Sequence, residues 1–193
     1  MLSSSAGRFQ NATVLGRDLA NLTTLHAAGA RCIQLTYNEK RPAAFTHTVC
    51  KSIYNHVRGK SDALIKAMSD KGGMTGIATL GYFVGPTPET SLEDYLRHID
   101  YAVKIGGIDH TGVSSDYSIR GIGAIHTRES WLTPRLSVFP PEYRVRWPPW
   151  ITELDGPDRF LNIARGLAKR GYTSAQIEKL LGGNWLKYFS EGI

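Results

Sequence analysis

The sequence predicts an α/β fold with a largely parallel sheet, and three observations carry that prediction. Between Ser61 and Asp116, amphipathic helix patterns alternate with short apolar strand patterns, the βαβ rhythm of parallel sheets. The apolar strand segments end on polar residues, Asn38, His47 and Asp116. The chemistry-bearing C-terminal rim of an α/β barrel is built in that way. The chain has 193 residues, 41% of them hydrophobic. That is enough for one substantial core and too little for two large domains, so residues 1–193 are expected to form one domain.

In chain order, GRDLANLTTLHAAGA places Leu19, Leu22 and Leu25 at helical spacing, with Asp18 in the first turn and Gly29 as the stop. Arg31 to Tyr37 reads as a strand followed by Asn38. Ala43 to Thr46 reads as a second strand, which ends at His47 and turns directly into a helix carrying Cys50, Ile53 and Tyr54 and finishing near His56 and Arg58. Parallel strands need a crossover of about a dozen residues, and Asn38 to Pro42 is too short for one. These two strands are therefore antiparallel, or a segment is missing between them.

Ser61 or Asp62 caps the helix SDALIKAMSDKGG, which Gly72 and Gly73 stop. Met74 to Phe83 is the next buried strand. Thr90-Ser91 caps a longer helix with Leu92, Tyr95, Leu96, Ile99 and Val103 on its buried stripe, and Thr111 to Ser115 is a strand leading to Asp116. Residues 118–156 show no sustained periodicity and hold Pro134, Pro140, Pro141, Pro148 and Pro149 with Trp131, Trp147 and Trp150. A connection of this length is a functional lid, a binding loop or an interface arm, or a surface excursion that packs its tryptophans on the body. Helices then follow at Gly156–Gly171, after Thr173 or Ser174, and over Trp185, Leu186 and Phe189.

Composition excludes several classes. The net charge is +6, but the basic residues are scattered rather than clustered, which argues against nucleic acid. No apolar run approaches the roughly 18 residues of a membrane span, and MLSSSAGRFQ has no apolar core of a signal peptide. Cys32 and Cys50 sit inside apolar patterns and read as packed thiols of a reducing compartment. A cytoplasmic location is the expectation.

The residues that can carry chemistry are the strand-end set Gln10, Asn38, His47 and Asp116, with Arg58 one element beyond His47. Histidine and carboxylate converging at one rim suit zinc, whose catalytic sites leave a position open to water. Arg58 has the planar fork that matches a substrate carboxylate. Read blandly, His47 is a satisfied histidine at a strand end. The sequence contains no HxH, HExxH or CxxC, so spacing alone supports an α/β domain of hydrolase type and no more.

Four segments carry more: Gly29 to Asn38 (GARCIQLTYN), Pro42 to Asp62 (PAAFTHTVCKSIYNHVRGKSD), Gly107 to Asp116 (GIDHTGVSSD) and Gly156 to Phe189 (GPDRF…RGYTSAQIEKLLGGNWLKYF). In that order they resemble the membrane (renal) dipeptidase family of zinc peptidases, family M19, over nearly the whole chain. The resemblance implies a TIM-like (β/α) barrel of the metal-dependent hydrolase type, with C-terminal helices and two zinc ions at the strand ends. It also implies hydrolysis of dipeptides by a metal-bridging water. His47 matches a zinc-ligand histidine, Arg58 the arginine that binds the substrate carboxylate, and Asp116 the acid/base aspartate. Gln10 stands where many members have a zinc-bridging glutamate, and Ser118 where the family has a second aspartate.

The His-x-Asp strand that opens family members, and a strand ending in a Ser-His ligand, have no counterpart. The junction between Asn38 and Pro42 therefore reads as an internal deletion, and the barrel is expected to be incomplete, since a full one takes about 250 residues. Three readings follow. The chain is a shortened dipeptidase that is weak or inactive alone. It is a non-catalytic module that keeps an arginine clamp for a dipeptide or related small ligand. Or it is an incomplete barrel that closes by forming a homo-oligomer.

Overall fold

The structure, a computed structural model, describes residues 7–9, 30–33 and 43–192. Gln10, Asn38 and the helix expected over Gly16–Gly29 lie outside the described residues. Five strands are present among them: β1 (Gly7–Phe9), β2 (Ala30–Ile33), β3 (Ala44–Thr48), β4 (Met74–Ala78) and β5 (Thr111–Ser114). β1 and β2 form one parallel pair, and β3-β4-β5 form a separate parallel sheet with β4 in the middle. The expectation of a single sheet holding both the Arg31 strand and the His47 strand is therefore corrected: among the described residues β2 pairs with β1, not with β3. A mixed α/β fold with a parallel sheet is what stands, and the described strands make only part of a barrel.

The helices are α1 (Asp62–Asp70), α2 (Gly81–Val84), α3 (Leu92–Gly106), α4 (Arg128–Leu136), α5 (Arg159–Lys169), α6 (Ser174–Glu178) and α7 (Asn184–Gly192). Their starts follow from sequence chemistry. Ser61 caps α1 by accepting from Leu64 N, and Ser91 with Asp94 forms a capping box on α3, satisfying backbone donors that no turn of helix can reach. Thr173 and Gln176 do the same for α6.

Every residue of β4 is buried, as befits the central strand of a sheet covered on both faces. Ile65 of α1, Leu96 and Ile99 of α3, and Ile163 and Leu167 of α5 join Ile77 and Val113 in one core. Cys50 belongs to that core as a free thiol whose pKa is pushed up to about 12 by burial. Trp185 of α7 lies on the paired glycines Gly76 and Gly112, where an added Cβ would stand 2.7 and 2.4 Å from indole atoms. Its Nε1 donates to Val113 O at 3.0 Å.

Three further expectations are corrected. No helix follows His47: the chain turns at Cys50 and runs back to Lys60, closed by Lys51 N to Lys60 O and Lys60 N to Val49 O, both 2.9 Å. The physical reason lies one turn on: Tyr54 N reaches Cys50 O at 3.2 Å, but Arg58 N donates to His56 Nδ1 at 3.2 Å instead of to Tyr54 O, so the helical ladder stops after a single turn. The strand expected to reach Phe83 stops at Ala78. Gly81 N donates to Pro149 O at 2.7 Å, and a Cβ there would lie 2.8 Å from Trp150 O, so the arm displaces the strand's ladder and α2 begins. Finally, residues 118–156 are not structureless. They contain α4, opened by a Thr127–Ser130 capping box although Pro134 sits inside it. Trp131 is buried, and Trp147 packs edge-on against Trp150 with ring centres 4.8 Å apart.

Candidate functional site

Because β3, β4 and β5 are parallel, their C-terminal ends form one rim, although the β3–β4 register shifts between Phe45 and Thr48. His47 lies one residue before the end of β3, and Asp116 lies two residues beyond β5. Asp116 has φ 66°, a left-handed conformation that aspartate tolerates better than most residues, and it turns the chain sharply at the rim. The following loop is pinned by Arg159, which is buried and donates through Nη2 to Ser118 O at 2.6 Å and to Ile119 O at 3.2 Å. Its guanidinium also lies 4.3 Å from the ring centre of Tyr117.

Arg58 arrives from the Cys50–Lys60 loop. Thr48 Oγ1 donates to Arg58 O at 2.7 Å, and Arg58 N donates to His56 Nδ1 at 3.2 Å. Its side chain crosses the rim over Phe83, 5.5 Å from the ring centre, and brings Nη2 within 2.6 Å of His47 Nε2. A guanidinium only donates, so His47 Nε2 accepts and the ring proton sits on Nδ1, facing Thr46 Oγ1 at 2.9 Å. Asp116 Oδ1 is 3.8 Å from the same Nε2, an electrostatic contact rather than a hydrogen bond.

The electrostatics agree with that tautomer. Burial lowers the His47 pKa first; the Asp116 carboxylate partly restores it, and Arg58 and Lys60 lower it again. The ring is neutral at pH 7. Burial raises the Asp116 pKa, against the opposing pull of His47, Arg58 and Arg135. Burial thus disfavours the charged form of each: the ring gives up its proton at a lower pH than a free imidazole, and the carboxyl holds its proton to a higher pH than a free one.

These residues open on a cleft of ≈ 550 Å³ whose polar wall holds Arg58, Asp116 and Arg135 and whose apolar wall holds Phe83, Val138 and Phe139. The sequence-predicted trio His47, Arg58 and Asp116 thus meets at one rim, while Gln10 and Asn38 lie outside the described residues. Sequence reasoning missed Tyr82, Arg135, Tyr143 and His56. Arg135 is held by Trp131, stacking 4.1 Å from its ring centre and donating to its carbonyl at 2.8 Å. The capping box at Thr127 was the signal for α4, and Pro134 obscured it.

A catalytic zinc site takes about three protein ligands. Among the described residues no group of three or more His, Cys, Asp or Glu side chains converges. His47 and Asp116 supply two donors, and the Arg58 cation already occupies the Nε2 lone pair. The described donor set does not fit a zinc ion.

The sequence profile of the membrane dipeptidase family, peptidase family M19, matches residues 39–129, the stretch that carries His47, Arg58 and Asp116. Over that stretch, a little under half of its length, the chain is similar to the membrane dipeptidase family. Among curated relatives, a protein encoded in the pqqA 5′ region of Klebsiella pneumoniae is 25% identical over 150 residues, covering 76% of this chain and 45% of that protein. Dipeptidase tcpJ of Claviceps purpurea is 19% identical over 151 residues, covering 78% of this chain and 29% of that one. The chain therefore spans less than half the length of these relatives. A metallopeptidase from Rhodobacter sphaeroides, solved with a phosphinate mimic of the dipeptide L-Ala-D-Ala, superposes with a TM-score of 0.71 at 15% identity, covering 95% of this chain and 62% of that one. At that identity the likeness is one of fold. Among the described residues no helix is long and apolar enough to cross a membrane.

Proposed function

We propose that this chain, as a relative of the membrane dipeptidases, receives the C-terminal carboxylate of a dipeptide or a related small ligand at Arg58, in the cleft beside Asp116. In this reading the chain by itself hydrolyses peptides weakly or not at all. The observation that carries the reading is the convergence of Arg58, His47 and Asp116 at one rim above the cleft. Arg58 presents a planar fork to one side of the cavity, suited to two carboxylate oxygens. Phe83, Val138 and Phe139 offer apolar surface to the ligand's side chains. Asp116, with its pKa raised by burial, is placed to hold a proton next to the bound group.

The family relationship favours a second reading, a zinc dipeptidase with Asp116 as acid/base. That reading needs metal donors beyond His47 and Asp116, from residues outside the described part or from another subunit. One experiment separates the two. The purified chain is assayed for dipeptide hydrolysis with and without added zinc, and for binding of a phosphinate dipeptide analogue. Analogue binding without turnover, lost by about tenfold or more in Arg58→Lys because lysine cannot form the two-pronged contact, supports the binding reading. Chelator-sensitive turnover that Asp116→Asn abolishes supports the enzyme. If Arg58→Lys leaves analogue binding unchanged, Arg58 is not the carboxylate site.

A further inference from the structure

His56 stands two residues before Arg58 and takes no part in the rim contacts, yet it is 1% exposed. Its ring is fixed at both nitrogens. Nδ1 accepts from Arg58 N at 3.2 Å, and Nε2 lies 2.8 Å from Tyr143 O. A backbone N–H only donates and a carbonyl only accepts, so one neutral tautomer satisfies both contacts, with the proton on Nε2. Phe83 packs on the ring with centres 5.0 Å apart, and Tyr54 stacks on it at 6.1 Å. Burial is the main opponent of its protonation; the Tyr143 carbonyl favours the proton, and the guanidinium groups of Arg144, Arg58 and Arg146 oppose it further. Tyr143 and Arg58 both line the cleft, from segments 85 residues apart in sequence. A second tie runs alongside: Arg144 Nη1 donates to Tyr54 Oη at 2.7 Å and to Asn55 O at 3.3 Å.

We propose that His56 is the positioning residue of the carboxylate site, joining the backbone of Arg58 to the Tyr143 turn of the arm so that two walls of the cleft are held as one unit. Its bearing on ligand affinity rests on the reading of Arg58 as the carboxylate clamp; the join itself does not. The arm, which the sequence leaves without an assigned task, is then the part of the molecule that fixes where Arg58 stands. Ligand contact with Arg58 and order in the Tyr143 turn rise and fall together.

Two variants divide the two bonds. In His56→Asn the amide oxygen falls where Nδ1 was and keeps the Arg58 N–H contact, without reaching Tyr143. In His56→Gln the amide nitrogen falls where Nε2 was and keeps the Tyr143 contact, without the acceptor for Arg58. Amide hydrogen exchange of the full chain reads each end, at Arg58 and at Tyr143 and Arg144. The expected result is exchange faster by about tenfold at Tyr143 and Arg144 in the Asn variant and at Arg58 in the Gln variant. Identical exchange at both ends in both variants and the unaltered chain overturns the proposal and leaves ring packing as the only role. The ring ¹⁵N signals of the unaltered chain give a test without substitution, since a proton on Nδ1 at neutral pH overturns it as well. Binding of the phosphinate dipeptide analogue is expected to weaken more in the Gln variant than in the Asn variant. Should the unaltered chain fail to bind the analogue, the Arg58 carboxylate reading falls, and the exchange pattern still decides the role of His56.

Discussion

Arg58 and His98 show how one side chain can decide a site or a loop. The contact of Arg58 with His47 places a permanent cation on the nitrogen that a zinc ion would need. His98, fully buried, takes the Cys50 N–H on Nδ1 and gives its Nε2–H to Val84 O at 3.0 Å, so it ties the Cys50 turn, α2 and α3 together as a neutral ring. Burial, the larger influence, lowers its pKa from 6.5 to about 4. As pH falls, the unfolded chain takes up this proton first. The contribution of His98 is therefore whole above pH 6.5, and roughly 3 kcal/mol of stability is lost between pH 6.5 and 4. Urea midpoints at pH 7 and pH 4.5 should show this loss, and His98→Gln should have the flatter slope. His47 and His56, also lowered, act in the same direction, and Asp116, raised, opposes them, so the difference between variant and parent is the informative quantity. Neither His98 nor His56 was legible in the sequence as a structural link. A helix-stripe reading counts apolar residues, and a histidine whose two nitrogens are both satisfied by distant backbone leaves no pattern.

At the scale of elements, periodicity and caps located α1, α3, α5 and α6 because the signals are local: Ser61, Ser91 and Thr173 act within three residues of themselves. The elements misread are those that distant contacts decide. β4 is cut short by Pro149 and Trp150, and the run from Cys50 to Lys60 is held by His98 and, through His56, by Tyr143. The glycine floor under Trp185 is another such contact. A Cβ on Gly76 would stand 2.5 Å from Thr46 O and 2.7 Å from the indole, and the Thr46 carbonyl is strand backbone that cannot step aside. Gly76→Ala is therefore expected to cost about 1–3 kcal/mol by overpacking, read as a lower urea midpoint with unchanged slope. Gly112→Ala meets only indole atoms. Pairing it with Trp185→Leu should recover part of its loss, whereas Gly76→Ala should stay impaired in the same background.

For the whole molecule, the sequence carried the likeness to the membrane dipeptidases, the parallel α/β character and the gathering of His47, Arg58 and Asp116, because strand-end placement and motif order are legible in one chain. It did not carry the separate β1–β2 pairing seen among the described residues, which depends on contact between segments far apart. Metal binding is decided at this scale, since a zinc site draws its three or so ligands from several elements. The described residues contribute His47 and Asp116, and Arg58 competes with any metal for His47 Nε2. A site with two donors and a resident cation binds zinc poorly where about three ligands are needed. Dialysed against zinc and measured by elemental analysis, the chain should retain fewer than two zinc ions. Arg58→Ala removes the competing cation and should raise zinc uptake, with His47→Ala in the same background reversing the gain. Two ions held tightly by the unaltered chain, and unaffected by His47→Ala, would place the metal centre elsewhere and sink this account of the rim.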